Sequence, residues 1–286
     1  MISETLKRQI PVIALLWWLA LQGIASHAHS EVLVQTHGYM SIAPYLHGTV
    51  ASQGITPTYR SDYMAFVDIL EWRGFRFNYL LGNSTILGTS STERIRLDRI
   101  RYMLSPGFRY EFGNWQIRGR YQHECLHTID RPEIEYPGFT RGSIWWNSYQ
   151  IGIGSKGSSH IHLRKKYLEP GNRFINAWDG QVNVGKYVPP AGTANTGRSH
   201  NFHSELFSNL RYHIGMFNDW AAFVNLGQHL WRKTDDTYEQ RWTLTVNLFR
   251  RGKDKFAGIY YTYVIRDTFS PDNENKTGAI GLKILL

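Results

Sequence analysis

From about residue 33 onward the chain alternates apolar and polar residues with a period of two and shows no sustained helical period. Phe75, Phe77, Tyr79 and Leu81 fall on one face, with Arg76 and Asn78 on the other. Trp220, Ala222, Val224 and Leu226 repeat the pattern. So do Tyr238, Trp242, Leu244, Val246 and Leu248, against Glu239, Arg241, Thr243, Thr245 and Asn247. Successive side chains of a strand point to opposite faces, so each segment reads as a strand with one apolar and one polar side. Strands are expected near 33–50, 61–72, 75–86, 94–112, 115–127, 144–154, 158–168, 202–215, 219–231, 238–250, 255–266 and 276–286. The turns at Arg73-Gly74, Gly113-Asn114, Ser155–Gly157, Met216–Asn218 and Arg251–Asp254 are short, and the connections between them are longer. This alternation holds if residues 169–201, including Asn172–Tyr187, form one long loop. The count is then 12, and an extra hairpin would make it 14. No internal repeat or low-complexity linker divides the segment, so residues 29–286 are expected to form one domain.

An alternating pattern fits a soluble sandwich as well as an antiparallel transmembrane β-barrel. Three features favour the all-β barrel. The last segment, Ile280-Gly-Leu282-Lys-Ile284-Leu-Leu286, runs to the end of the chain as a strand. The polar faces carry Arg, Gln, Asn and Glu, which suits a wet interior. Aromatic residues gather near strand ends (Trp72, Tyr110, Phe112, Trp115, Trp145, Trp220 and Trp231), where the girdles of a membrane barrel would lie. The whole segment thereby resembles the bacterial outer-membrane β-barrel superfamily, although those barrels usually end in Phe or Trp rather than Leu286. The resemblance implies short periplasmic turns, longer outer loops and residence in the outer membrane.

Residues 1–28 read as a signal peptide. Lys7 and Arg8 precede an apolar run, Ile10–Ile24, and Ser26-His27-Ala28 offers small residues for cleavage. The run is too short to span a bilayer comfortably. Composition agrees with an exported β-protein. Of 286 residues, 14% are aromatic and 19% charged, which excludes a disordered chain and a polytopic helical membrane protein. The single cysteine, Cys125, leaves no internal disulfide to stabilise the fold. The formal net charge is +9. For an exported protein this points away from nucleic acid and towards the anionic lipids and lipopolysaccharide of the outer membrane.

The chemistry concentrates in segment 115–127. Its polar face is Gln116, Arg118, Arg120, Gln122 and Glu124. The other face begins Trp115, Ile117, Gly119 and Tyr121, but ends His123, Cys125 and His127. An unpaired polar group facing hydrocarbon costs several kcal/mol, so two imidazoles and a thiol there are candidates for function. The next strand places Trp145, Asn147, Tyr149, Ile151 and Ile153 on its apolar face. If 128–143 is the loop, antiparallel partners have numbers summing to roughly 271, which sets Asn147 opposite about Glu124, beside His123 and Cys125. Cys125 as nucleophile, His123 as general base and Asn147 as the group orienting the base would follow triad logic. Tyr121, Tyr149 and Trp145 would contact acyl chains.

His-x-Ser on an outward face, followed by Asn on the next strand, is the arrangement of the outer-membrane phospholipase A family, a 12-stranded barrel. His123-Glu124-Cys125 and Trp146-Asn147 resemble it, with Cys in place of Ser. The run His123-x-Cys125-x-His127-x-x-Asp130 is also similar to an uncharacterised barrel family with His-x-Ser-x-His-x-x-Asp. The resemblance implies hydrolysis of a phospholipid or lipid A ester. Leu126-His127 stands where the phospholipases have Asn-Gly, so their calcium ligands are not carried over and no cofactor follows from the motif. Three other readings stay open. The histidines are rim residues in water, or His127 and Asp130 belong to a metal site with His123 or Cys125, or the protein is a non-enzymatic channel or surface barrel. His123 and His127 are about 13 Å apart along a straight strand, which is too far for one ion unless the strand bends. Arg76, Arg118, Arg120, Arg164, Arg211 and Arg241 are expected inside, either paired with Glu124, Glu205 and Glu239 or lining an anion-favouring pore.

Overall fold

The computed structural model describes residues 30–47, 56–89, 96–128, 143–158, 177–188, 192–193, 202–252, 256–269 and 274–285. The signal-peptide segment, Asp130, Arg164 and all but Ser158 of the strand expected at 158–168 lie outside them. The strands are β1 (Ser30–His47), β2 (Thr56–Trp72), β3 (Phe75–Thr89), β4 (Arg96–Phe112), β5 (Trp115–Thr128), β6 (Ser143–Ser155) and β7 (Ala177–Tyr187). They continue with the two-residue β8 (Gly192–Thr193), then β9 (Phe202–Phe217), β10 (Trp220–Lys233), β11 (Tyr238–Arg251), β12 (Phe256–Asp267) and β13 (Gly278–Leu285). Every pairing is antiparallel, β13 closes on β1 and β5 pairs with β6, so all strands but β8 form a closed 12-stranded barrel. β8 adds a short pairing to the start of β6.

The parity read from the sequence holds around the wall. Met40, Ile42, Leu81, Leu104, Tyr149, Ile151, Ile153, Val184, Leu226, Val246 and Leu282 point outward and are exposed. Asp68, Arg109, Gln116, Glu124, Ser148, Glu205, Arg211 and Asn247 point inward and are buried. A closed barrel leaves no unpaired strand edge, and an apolar exterior over a polar interior is stable only where the exterior meets lipid.

Two expectations need correction. Ala177–Tyr187 is a wall strand, hydrogen-bonded between β6 and β9, not part of an outer loop. The sequence reading required a short turn after Ser155 and so gave the next strand to residues 158–168. In the structure Lys156–Ser158 form a short 3-10 helix, and β6 pairs with β5 on one side and Ala177–Tyr187 on the other. One strand still lies in this stretch, so the count of 12 survives the wrong assignment. Trp231 is not in a girdle. It is buried, stacked on His229 and Phe269 inside the barrel. Period two already requires this, because Trp220 and Leu226 face out and an odd-numbered neighbour must face in.

The interior ion pairs also differ from those expected. Glu124 pairs with Arg101, Glu205 with His229 and Glu239 with Lys233. Arg109 reaches Asp68 at 2.7 Å, and Arg241 reaches Asp267 at 2.7 Å. Asp267 also fixes the segment after β12. Its Oδ1 accepts from the Phe269 amide and its Oδ2 from the Glu274 amide. This drives Phe269 into the lumen, where it packs against Trp146, Phe202 and Trp231 from β6, β9 and β10. The guanidinium groups of Arg101 on β4 and Arg241 on β11 each lie 5.7 Å from its ring centre. With Leu126 and Tyr187 these residues form an aromatic plug at one end of the lumen.

At the opposite end the hairpins are tight. Arg73 and Gly74 both have positive φ, 49° and 83°, as a two-residue turn matched to strand twist requires. A Cβ at Gly74 is strained in that conformation and would lie 3.2 Å from the Tyr110 ring. Gly74→Ala is expected to cost about 1–2 kcal/mol, read from unfolding in denaturant.

Candidate active site on the outer wall

The residues singled out on β5 and β6 form one patch on the lipid-facing surface. Tyr121, His123, Cys125 and His127 alternate with Gln122, Glu124 and Leu126, which are buried on the lumen side. Trp145, Asn147 and Tyr149 continue the patch on β6. The register pairs His123 with Asn147, Cys125 with Trp145 and Tyr121 with Tyr149. Asn147 is therefore opposite His123 rather than Glu124. The physical reason is again parity, since directly opposed residues of two paired strands share a face.

His123 Nδ1 and Asn147 Oδ1 are 2.8 Å apart. The amide oxygen can only accept, so Nδ1 carries the proton and Nε2 is left as the basic nitrogen. Cys125 is free of any disulfide, and its Sγ lies 3.3 Å from His127 Nε2. The pairing in the structure is thus His123 with Asn147 and Cys125 with His127. Glu124 turns inward to Arg101 and Gln122 and contributes nothing to the wall.

Aromatic rings frame these groups. His123 and Trp145 ring centres are 6.4 Å apart, and Tyr121 and Tyr149 are 5.3 Å apart in tilted contact. Tyr102 on β4, which the sequence reading did not include, pairs with Cys125 and sets its ring edge-on to His127 at 5.6 Å. Its only sequence signal was membership of an apolar face next to β5. For the expected metal ligands, Asp130 is outside the described residues and His127 is engaged with Cys125. Among the described residues no group of three or more His, Cys, Asp or Glu side chains is arranged to hold an ion.

Strand geometry gives the depth of the patch. β5 has 14 residues. At about 3.3 Å per residue and a tilt near 40°, it rises about 35 Å, against an apolar band about 25 Å tall. Cys125 and His123 then sit roughly 8 and 13 Å from the Thr128 end of β5.

No protein-family model matches the chain, and no curated protein matches it by sequence. Solved structures do match its fold. The outer membrane phospholipase from Salmonella typhi, a dimer with bound calcium, superposes with a TM-score of 0.50 at 11% identity, covering 90% of this chain and 92% of that one. The outer membrane phospholipase A from Escherichia coli gives a TM-score of 0.50 at 12% identity, covering 89% and 94%. An active-site mutant of the latter, with an asparagine changed to alanine, gives the same score at 11% identity, covering 89% and 91%. The chain has the closed β-barrel fold of these outer-membrane phospholipases.

Proposed function

We propose that the barrel hydrolyses acyl esters of outer-membrane lipids at the His123, Cys125 and Asn147 patch. The hydrogen bond of 2.8 Å between His123 and Asn147, on the lipid-facing wall beside the molecule's one thiol, carries this reading. Either polar group alone would be costly against hydrocarbon. Paired, they form an oriented base, the arrangement that activates a nucleophile. The thiol gives its proton to imidazole and the thiolate attacks the ester carbonyl carbon. The alcohol leaves with that proton, and water, deprotonated by the same imidazole, cleaves the thioester to release the fatty acid. Tyr121, Tyr149 and Trp145 would hold the acyl chain.

The fold of the solved phospholipases adds support, as does the alanine variant of an asparagine in one of them being an active-site mutant. The calcium and the dimer of the Salmonella protein have no counterpart argued from these residues. The contact between Cys125 and His127 favours a second assignment within the same reading, with His127 as the base. In the first assignment a rotation about the Cys125 Cα–Cβ bond delivers Sγ towards His123. The aromatic plug argues against an open channel. Asn147→Ala should lower turnover about 10²-fold with the fold intact, measured as fatty-acid release from phospholipid micelles. Unchanged turnover would remove Asn147 from the mechanism.

A further inference from the structure

The lumen contains more positive charge than the ion pairs consume. Below the aromatic plug lies a cavity of about 430 Å³, lined by seven Arg or Lys side chains and only two carboxylates, Asp62 and Glu124. Three of the arginines are matched, Arg60 by Asp62 and Glu274, Arg101 by Glu124 and Arg109 by Asp68. Arg211 donates to the Asn225 side chain and the Gly157 carbonyl. Arg118, Arg120 and Lys283 form no salt bridge among the described residues, although Glu205 lies in the field of Arg120 and Asp62 in that of Lys283. Arg118 donates to the Ser158 hydroxyl at 3.0 Å, and its Nε is buried without an acceptor among the described residues. Arg120 stands two residues further along the same face of β5 and forms no ion pair among the described residues. Lys283, entering from β13, meets the faces of Tyr39 at 4.0 Å and Tyr260 at 5.4 Å, with Asp62 near it but not in a salt bridge. The remaining lining is rich in amides, including Gln116, Gln181 and Asn183.

Uncompensated cations in an enclosed space repel one another and cost desolvation, and removing a partner from such a charge is strongly destabilising. An anion restores the balance. Guanidinium groups match the oxygens of phosphate in paired hydrogen bonds, and a lysine adds a point charge. We infer that the lumen holds a phosphate group, either free or as a small phosphate monoester, between Arg118, Arg120 and Lys283. The volume lies within the range of small-molecule sites and exceeds what a single halide fills. This site is inside the barrel, separate from the lipid-facing patch, and does not depend on hydrolysis there.

The test uses the folded protein in neutral detergent and titration calorimetry with inorganic phosphate and with glycerol 3-phosphate, against chloride at equal ionic strength. Saturable binding of either phosphate probe, weakened at least tenfold in the Arg118→Gln, Arg120→Gln double variant, is the expected result. The tighter of the two probes identifies the source. Lys283→Gln provides a separate variant on another strand, also expected to weaken binding, if the double variant does not fold. Heat evolution no greater than that of chloride, or affinity unchanged in a folded variant, overturns the proposal.

Discussion

Cys125→Ala is expected to reduce lipid hydrolysis by about 10³-fold or more while the barrel folds normally. In the proposed mechanism the thiol is the nucleophile, and a methyl group in its place can neither attack the ester nor hold the acyl group. Stability should change little, because the side chain lies on the lipid-facing wall and its side-chain hydrogen-bond partner among the described residues is His127. Cys125→Ser is the informative companion. It restores the hydroxyl that the phospholipase pattern places at this position and should retain measurable activity. The two histidines are separated by single substitutions. If His123 is the base, His123→Ala falls as far as Cys125→Ala and His127→Ala loses much less. If His127 is the base, the order reverses, and Asn147→Ala then has little effect. Fatty-acid release by purified proteins, with folding checked by the temperature-dependent mobility of the barrel on gels, reads all five. Equal activity in wild type, Cys125→Ala and both histidine variants would exclude hydrolysis at this wall.

The wall and the patch were legible because both depend on period two, which is local. Once Trp115, Ile117 and Tyr121 are placed outward, His123, Cys125 and His127 have no choice, and β5 confirms it. The cross-strand pairing of Asn147 was nearly legible. Loop length alone left the register one residue off, and the requirement that opposed side chains share a face would have corrected it. The strand Ala177–Tyr187 was not legible, because its alternation is no stronger than that of its neighbours and the decision rested on a general rule about turn lengths. The structure instead sets Ala177–Tyr187 between β6 and β9. The contact between Cys125 and His127 depends on side-chain rotation, which no spacing in the sequence encodes. The plug was hidden for a different reason. Phe269 lies in a connection, where periodicity stops, and its inward course is set by the Asp267 carboxylate accepting backbone amides two and seven residues further on.

Phe269 therefore makes a strong test of how the barrel interior is stabilised. Its side chain is fully buried, and it touches three aromatic residues from three strands. Phe269→Ala leaves a cavity that those rings cannot fill, because each is fixed to the wall by its own strand. It also strips Arg101 and Arg241 of an aromatic face while their carboxylate partners, Glu124 and Asp267, remain. The expected loss is about 3–5 kcal/mol, seen as a shift of the unfolding midpoint in denaturant with the protein in lipid vesicles. Phe269→Leu should lose markedly less, since it refills most of the volume. Tyr149→Ala provides the contrast. That ring is 48% exposed on the outer wall, in tilted contact with Tyr121, so its removal leaves no internal void. A Phe269→Ala variant as stable as wild type would mean that the plug is decoration and that the hydrogen-bonded wall and the buried ion pairs suffice to hold the barrel.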